Sequence, residues 1–210
     1  MQPDALVNFA PMQDHTPAIR DLRSYVQWFD DALPREFCTQ LIDSFHQMSQ
    51  FHGAGGIHVR SSLGDSAWTE LNVTPLADEA FRGFFYTQID KYFARYYERL
   101  PLSVPVPVRP KLEDLRIKRY LAGKQEKFQP HYDAADEKSS RYMVFLWYLN
   151  DVNEGGETLF CDLDVKVQAR AGRLLMFPPY WMFQHAGLAP VSNDKYIIST
   201  YLLFDRDASK

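Results

Sequence analysis

Four prolines within ten positions, Pro101, Pro105, Pro107 and Pro110, divide this 210-residue chain into two textures. Prolines at this density exclude helix and favour an extended connector. Before them the apolar period is helical. Phe37, Leu41, Phe45 and Met48 form one stripe after Pro34, which suits a first helical turn. A second helix is expected with Thr74 as N-cap, Pro75 as its first position, and Asp78 and Glu79 in its first turn. Its aromatic stripe, from Phe81 through Phe85 and Tyr92 to Tyr96, reads as core packing against a sheet. After the prolines come seven short segments rich in β-branched and aromatic residues, separated by Gly, Pro, Asn and Asp. They are Leu115–Leu121, Lys127–Asp133, Arg141–Leu149, Glu157–Cys161, Val165–Ala169, Arg173–Phe177 and Tyr196–Phe204. Helices gathered before residue 100 and strands after it, with no alternation, exclude a doubly wound sheet and predict a sandwich or closed barrel. Tyr25–Phe29 is expected as a short strand, residues 1–20 as a loose arm, and residues 50–73 as a long loop.

Composition narrows the function class. Twenty-seven acidic residues against 23 basic ones, a formal charge of −4, argue against general nucleic-acid binding. No apolar run approaches the length of a membrane span, and no secretory signal is visible at Met1–Asp14. Two cysteines are too few for a disulfide framework or a Cys-rich zinc site, so a reducing, cytoplasmic location is expected. The length fits one domain over 1–210, with a helical support region at 21–110 and a β core at 111–205.

The residues with chemical potential lie in the second half. His131 and Asp133 stand two apart, and on a strand they would project from one face. Alone, the pair is equally a surface histidine near a solvated aspartate. His185 follows the apolar run Leu174–Phe177; with the pair it gives two imidazoles and one carboxylate, the donor set of a non-haem Fe(II) site with open positions. By itself it would read as a core histidine. Lys195 opens the last apolar strand, and a lysine directed into a barrel needs an anion. Gly155 and Gly156 suit a tight turn before Thr158, whose hydroxyl could meet a ligand. His46, His52 and His58 lack metal-ligand spacing and read as surface or loop residues; His15 belongs to the arm. Cys161 is expected to pack as a small apolar residue.

Together these stretches resemble the prolyl 4-hydroxylase-type Fe(II)/2-oxoglutarate-dependent dioxygenases. The resemblance rests on Tyr120-Leu121-Ala122-Gly123, His131-Tyr132-Asp133, Arg141, Tyr148-Leu149-Asn150-Asp151, Gly155-Gly156-Glu157-Thr158, Gly172, Phe177, and His185-Ala186-Gly187 with Lys195 ten residues on. It implies a mainly β fold, a double-stranded β-helix or jelly roll of cupin-like type, with supporting N-terminal α-helices. It implies His131, Asp133 and His185 as iron ligands, and Lys195, Tyr120 and Thr158 as contacts to 2-oxoglutarate. Arg141, Tyr201 and Trp147 are expected near the substrate. The implied reaction hydroxylates a C–H bond, foremost of a prolyl residue in a peptide or protein, while O2 and 2-oxoglutarate become succinate and CO2. Ascorbate is a further expected accessory. A free amino acid or small metabolite as substrate, and a non-catalytic jelly-roll metal-binding module, remain the alternatives. Phe145, Trp181 and Phe183 are weighed with Trp147 as cavity lining, with barrel core the preferred reading for each.

Overall fold

The computed structural model describes residues 21–56, 64–100, 102 and 111–204. The expected arm, most of the proline connector, His15 and His58 lie outside the described residues. Two helices, α1 (Arg35–Gln47) and α2 (Glu79–Arg99), precede most of the strands. The strands are β1 (Gln27–Phe29), β2 (Gly53–Gly56), β3 (Ala67–Asn72), β4 (Lys111–Leu112), β5 (Arg116–Tyr120), β6 (Phe128–His131), β7 (Arg141–Tyr148), β8 (Thr158–Phe160), β9 (Val165–Val167), β10 (Leu174–Phe177), β11 (His185–Gly187) and β12 (Lys195–Leu203). A major sheet runs β1-β10-β7-β12-β5-β3-β2, with β4 beside β12; a minor sheet runs β6-β11-β8-β9. The pairings are antiparallel in both sheets. The fold is the mainly β double-stranded β-helix, with both helices against the major sheet.

Strand alternation divides the apolar residues between two cores. In β7, Phe145 and Trp147 join the helix-side core, while Val144 and Tyr148 join the core between the sheets. In β12, Ile198 and Leu202 turn to the helices and Ile197 turns inward. β10 is buried throughout, the mark of a central strand covered on both faces. From α2, Phe85, Ile89, Tyr92 and Tyr96 are buried at helical spacing, and Phe85 meets Trp147 edge-on at 5.3 Å between ring centroids. Gly172 shows why one turn needs glycine. Its φ is +80°, and an added Cβ would stand 2.3 Å from the Leu33 carbonyl oxygen. That approach lets the Gly172 carbonyl accept hydrogen bonds from the Ala32 and Leu33 amides at 2.8 and 3.1 Å, docking the start of α1 on the barrel.

Three expectations change. Residues 50–73 carry β2 and β3, which extend the major sheet beside β5, so the 21–110 region supplies sheet as well as helices. The second helix begins four residues later than expected. The Thr74 hydroxyl accepts from the Leu115 amide at 2.8 Å, and Asp78 caps the helix by accepting from the Phe81 amide at 2.8 Å. Cys161 is exposed, because it falls one residue past β8 at the turn into β9.

Candidate metal centre and its cavity

His131 ends β6 and His185 opens β11, and the two residues face each other across the paired strands. Asp133 lies just past β6 rather than on it. The Asp133 and Ala134 amides both donate to the Pro179 carbonyl at 3.0 Å, which turns the chain and returns the carboxylate to the imidazoles. His131 Nε2 is 3.6 Å from Asp133 Oδ1, and His185 Nε2 is 3.5 Å from Asp133 Oδ2. The three potential donor atoms lie within 4.8 Å of one another, and among the described residues this is the one such group of His, Cys, Asp and Glu side chains.

The backbone sets the histidine tautomers. His131 Nδ1 sits 2.8 Å from the Gln129 carbonyl oxygen, and His185 Nδ1 sits 3.1 Å from that of Phe183. A carbonyl only accepts, so each Nδ1 carries the proton and each Nε2 keeps its lone pair toward the centre. Burial, and then the neighbouring His131, pushes the His185 pKa down to about 4, which keeps the ring neutral at pH 7. Burial would raise the Asp133 pKa, but contact with His131 and the charge of Arg141 prevail and hold it far below the carboxylate range. Two imidazoles that turn Nε2 inward and one anionic carboxylate, on one side of a cavity, fit a divalent iron with its remaining positions open.

Below this cluster, Lys195 starts β12 opposite Tyr120 of β5. Lys195 is 2% exposed. Its ammonium lies 5.5 Å from the ring centroids of both Tyr120 and Tyr148, and no carboxylate among the described residues is within ion-pair distance. Burial pushes its pKa down to about 7. The Tyr148 hydroxyl donates to Thr158 Oγ1 at 2.7 Å, which leaves the Thr158 proton to donate elsewhere. Tyr120, Thr158, Lys195 and the three central residues line one cavity. A buried cation beside hydroxyls is a receptor for a carboxylate.

Residues 115–203 match the family model described as the 2OG-Fe(II) oxygenase superfamily. The matched segment is a 2OG-Fe(II) oxygenase domain. The His131–Asp133–His185 cluster and the Lys195 pocket both fall inside it. Iron(II), 2-oxoglutarate and O2 are the reagents of oxygenases of this family. Solved structures of similar fold include a viral collagen prolyl hydroxylase from Paramecium Bursaria Chlorella virus-1. It is 21% identical, at a TM-score of 0.60, over 85% of this chain and 95% of that one. A Pseudomonas putida prolyl-4-hydroxylase is 17% identical at 0.64, over 86% and 93%. A Trichoplax adhaerens prolyl hydroxylase, in complex with a hypoxia inducible factor peptide fragment, is 17% identical at 0.65, over 86% and 84%. No curated protein matches the sequence.

The rim of the oxygenase cavity corrects one expectation and refines two. Trp147 does not face the cavity: it is fully buried among Phe85 and Phe145 on the helix side of β7. Phe145 shares that side, Phe183 packs in the core between the sheets, and Trp181 is exposed. Arg141 and Tyr201 do line the mouth. Their polar atoms are turned to Asp133: the Tyr201 hydroxyl donates to Asp133 Oδ1 at 3.0 Å, and Arg141 Nη1 donates to the Asp133 carbonyl at 3.1 Å. Sequence reasoning missed Glu113, which receives Arg141 Nε and Nη2 at 2.6 Å each and Lys138 Nζ at 3.0 Å. No spacing rule marks it, since it stands in the turn between β4 and β5. Glu113→Gln should destabilise the fold by about 2 kcal/mol, because it strips a largely buried guanidinium of its charged partner. Urea unfolding would show this, and an unchanged midpoint would mean that Arg141 finds another anion. Among the described residues, no helix is long and apolar enough to cross a membrane. His46 contacts the Tyr196 hydroxyl and His52 stacks on Phe45, in keeping with roles away from the metal cluster.

Proposed function

We propose that this chain is an Fe(II)/2-oxoglutarate-dependent dioxygenase that hydroxylates a C–H bond of a substrate entering past Arg141 and Tyr201, with His131, Asp133 and His185 holding Fe(II). The observation that carries the reading is the joint geometry: a two-histidine, one-carboxylate cluster above a buried lysine that has no carboxylate partner among the described residues. Bound together, iron, 2-oxoglutarate and O2 supply the oxidation, with succinate and CO2 as co-products. The chain supplies position and exclusion. His131 and His185 present Nε2 to the metal because their Nδ1 protons are held by backbone carbonyls. Tyr201 and Arg141 aim the Asp133 carboxylate. Lys195, with Tyr120 and Thr158, receives the far carboxylate of the cosubstrate and so fixes how deeply it sits. Phe177 and Ile197 line the same cavity and keep it apolar between its two polar ends.

The names of the solved neighbours make a prolyl residue in a peptide the first substrate class to test. Anaerobic addition of Fe(II) and then 2-oxoglutarate should produce a weak visible charge-transfer band. Admission of O2 with a suitable prolyl peptide should release succinate. Absence of the band would favour a non-catalytic metal-binding module.

A further inference from the structure

The cavity holds a second lysine that neither the metal cluster nor the cosubstrate pocket uses. Lys118 and Tyr120 are two apart on β5 and point to the same side. Lys195 pairs with Tyr120, and Ile197, the next inward position of β12, pairs with Lys118. Lys118 therefore stands one inward position nearer the mouth than the Lys195 pocket. It lines both the inner cavity and the outer mouth. Its ammonium is 5.0 Å from the Trp68 ring centroid and 5.5 Å from that of Phe128. Trp68 lines the mouth and not the inner cavity, so the charged end is directed outward, toward entering substrate rather than cosubstrate.

The other mouth charges are already paired. Glu70 receives Arg116 Nη1 at 2.8 Å on one oxygen and Trp68 Nε1 at 2.9 Å on the other. Glu113 holds Arg141 and Lys138, and Asp114 receives Asn72 Nδ2 at 2.8 Å. Lys118 has no carboxylate within ion-pair distance among the described residues. Burial pushes its pKa down, against the pull of Glu70 and Asp133. A lysine walled by two aromatic rings and facing a reaction cavity is completed by an anion from outside.

We infer that Lys118 receives a carboxylate carried by the substrate close to the carbon that is hydroxylated. This rests on the oxygenase reading above and narrows it. The favoured substrate is a free amino acid or the C-terminal residue of a peptide, and an interior residue without a nearby acid is disfavoured. The test is calorimetric binding to protein loaded with Mn(II) and an unreactive 2-oxoglutarate analogue. The probes are free amino acids, L-proline first, each beside its primary amide, and a peptide ending in proline as acid and as amide. At least one acid should bind about tenfold to a hundredfold more tightly than its amide. Lys118→Met should erase that preference and Lys118→Arg should largely keep it. Preference for free proline alone assigns a small-molecule source; preference for the peptide acid assigns a chain terminus. Equal binding of acids and amides, or a preference that survives in both Lys118→Met and Lys118→Gln, overturns the inference. So does a Lys118→Met protein whose main defect is in 2-oxoglutarate affinity. Failure of the underlying oxygenase reading would appear separately, as a missing charge-transfer band in the wild-type protein.

Discussion

Asp133→Ala should abolish Fe(II) binding and all succinate formation while leaving a folded chain. Two imidazoles alone make a weak site for Fe(II), and the carboxylate is the one anionic donor among the three. The variant should fold because Arg141 keeps its bidentate contact with Glu113, and because the Asp133 amide, which donates to Pro179, belongs to the backbone. Metal content after anaerobic loading and the visible band measure the effect, with circular dichroism as the control for folding. A variant that still bound iron stoichiometrically would show that the metal sits elsewhere. Tyr201→Phe should act more gently, loosening the carboxylate by one hydrogen bond of about 1 kcal/mol.

The second large effect belongs to Lys195. Lys195→Met should weaken 2-oxoglutarate binding by about a hundredfold to several thousandfold, since a buried carboxylate that loses its ionic partner costs about 3–5 kcal/mol. The same variant should be more stable than the wild type without cosubstrate, because it removes a buried cation that has no carboxylate beside it. The pH dependence follows from the lysine's pKa of about 7 in the fold, against the usual value of about 10.5. Between those values the unfolded chain binds more protons than the folded one, so Lys195's own contribution to stability rises with pH. The stability advantage of Lys195→Met should therefore be largest at pH 7 and below, and shrink toward pH 10. Cosubstrate affinity should move the opposite way, falling above pH 7 as the lysine must gain a proton to meet the carboxylate. Thermal melts of both proteins across this range, with titrations of 2-oxoglutarate, would decide it. A flat difference between the two melting curves would mean that Lys195 remains charged throughout.

The sequence made the barrel legible because its strands are short, β-rich and cleanly punctuated, and all seven expected segments contain a strand. The metal cluster was legible because it depends on residue identity and order, which a sequence displays directly. What escaped depends on which face of a strand points where. β7 is buried on both faces for most of its length, so hydrophobicity cannot say whether Trp147 or Leu146 faces the cavity. Only pairing with β12 settles the parity, with Leu146 opposite Ser199 and Trp147 opposite Ile198. β2 and β3 escaped because Gly53, Gly55 and Gly56 carry the signature of a loop. Here Gly55 lets the backbone approach Trp68, whose indole would lie 2.0 Å from a Cβ on it. Glu113 and Lys118 gain their meaning from partners, or the lack of them, across the sheet.

The two ends of the site ride on different sheets. His131 and His185 lie on the minor sheet, with Asp133 just beyond β6, whereas Lys195 and Tyr120 lie on the major sheet. Iron alone would therefore fasten one sheet to itself. A cosubstrate gripped by the metal at one end and by Lys195 at the other would act as a rivet through both walls of the barrel. The joint would weaken on turnover, because the reaction shortens the bridging molecule by the carbon lost as CO2. Each catalytic cycle would then loosen the walls at the moment when product and succinate must leave.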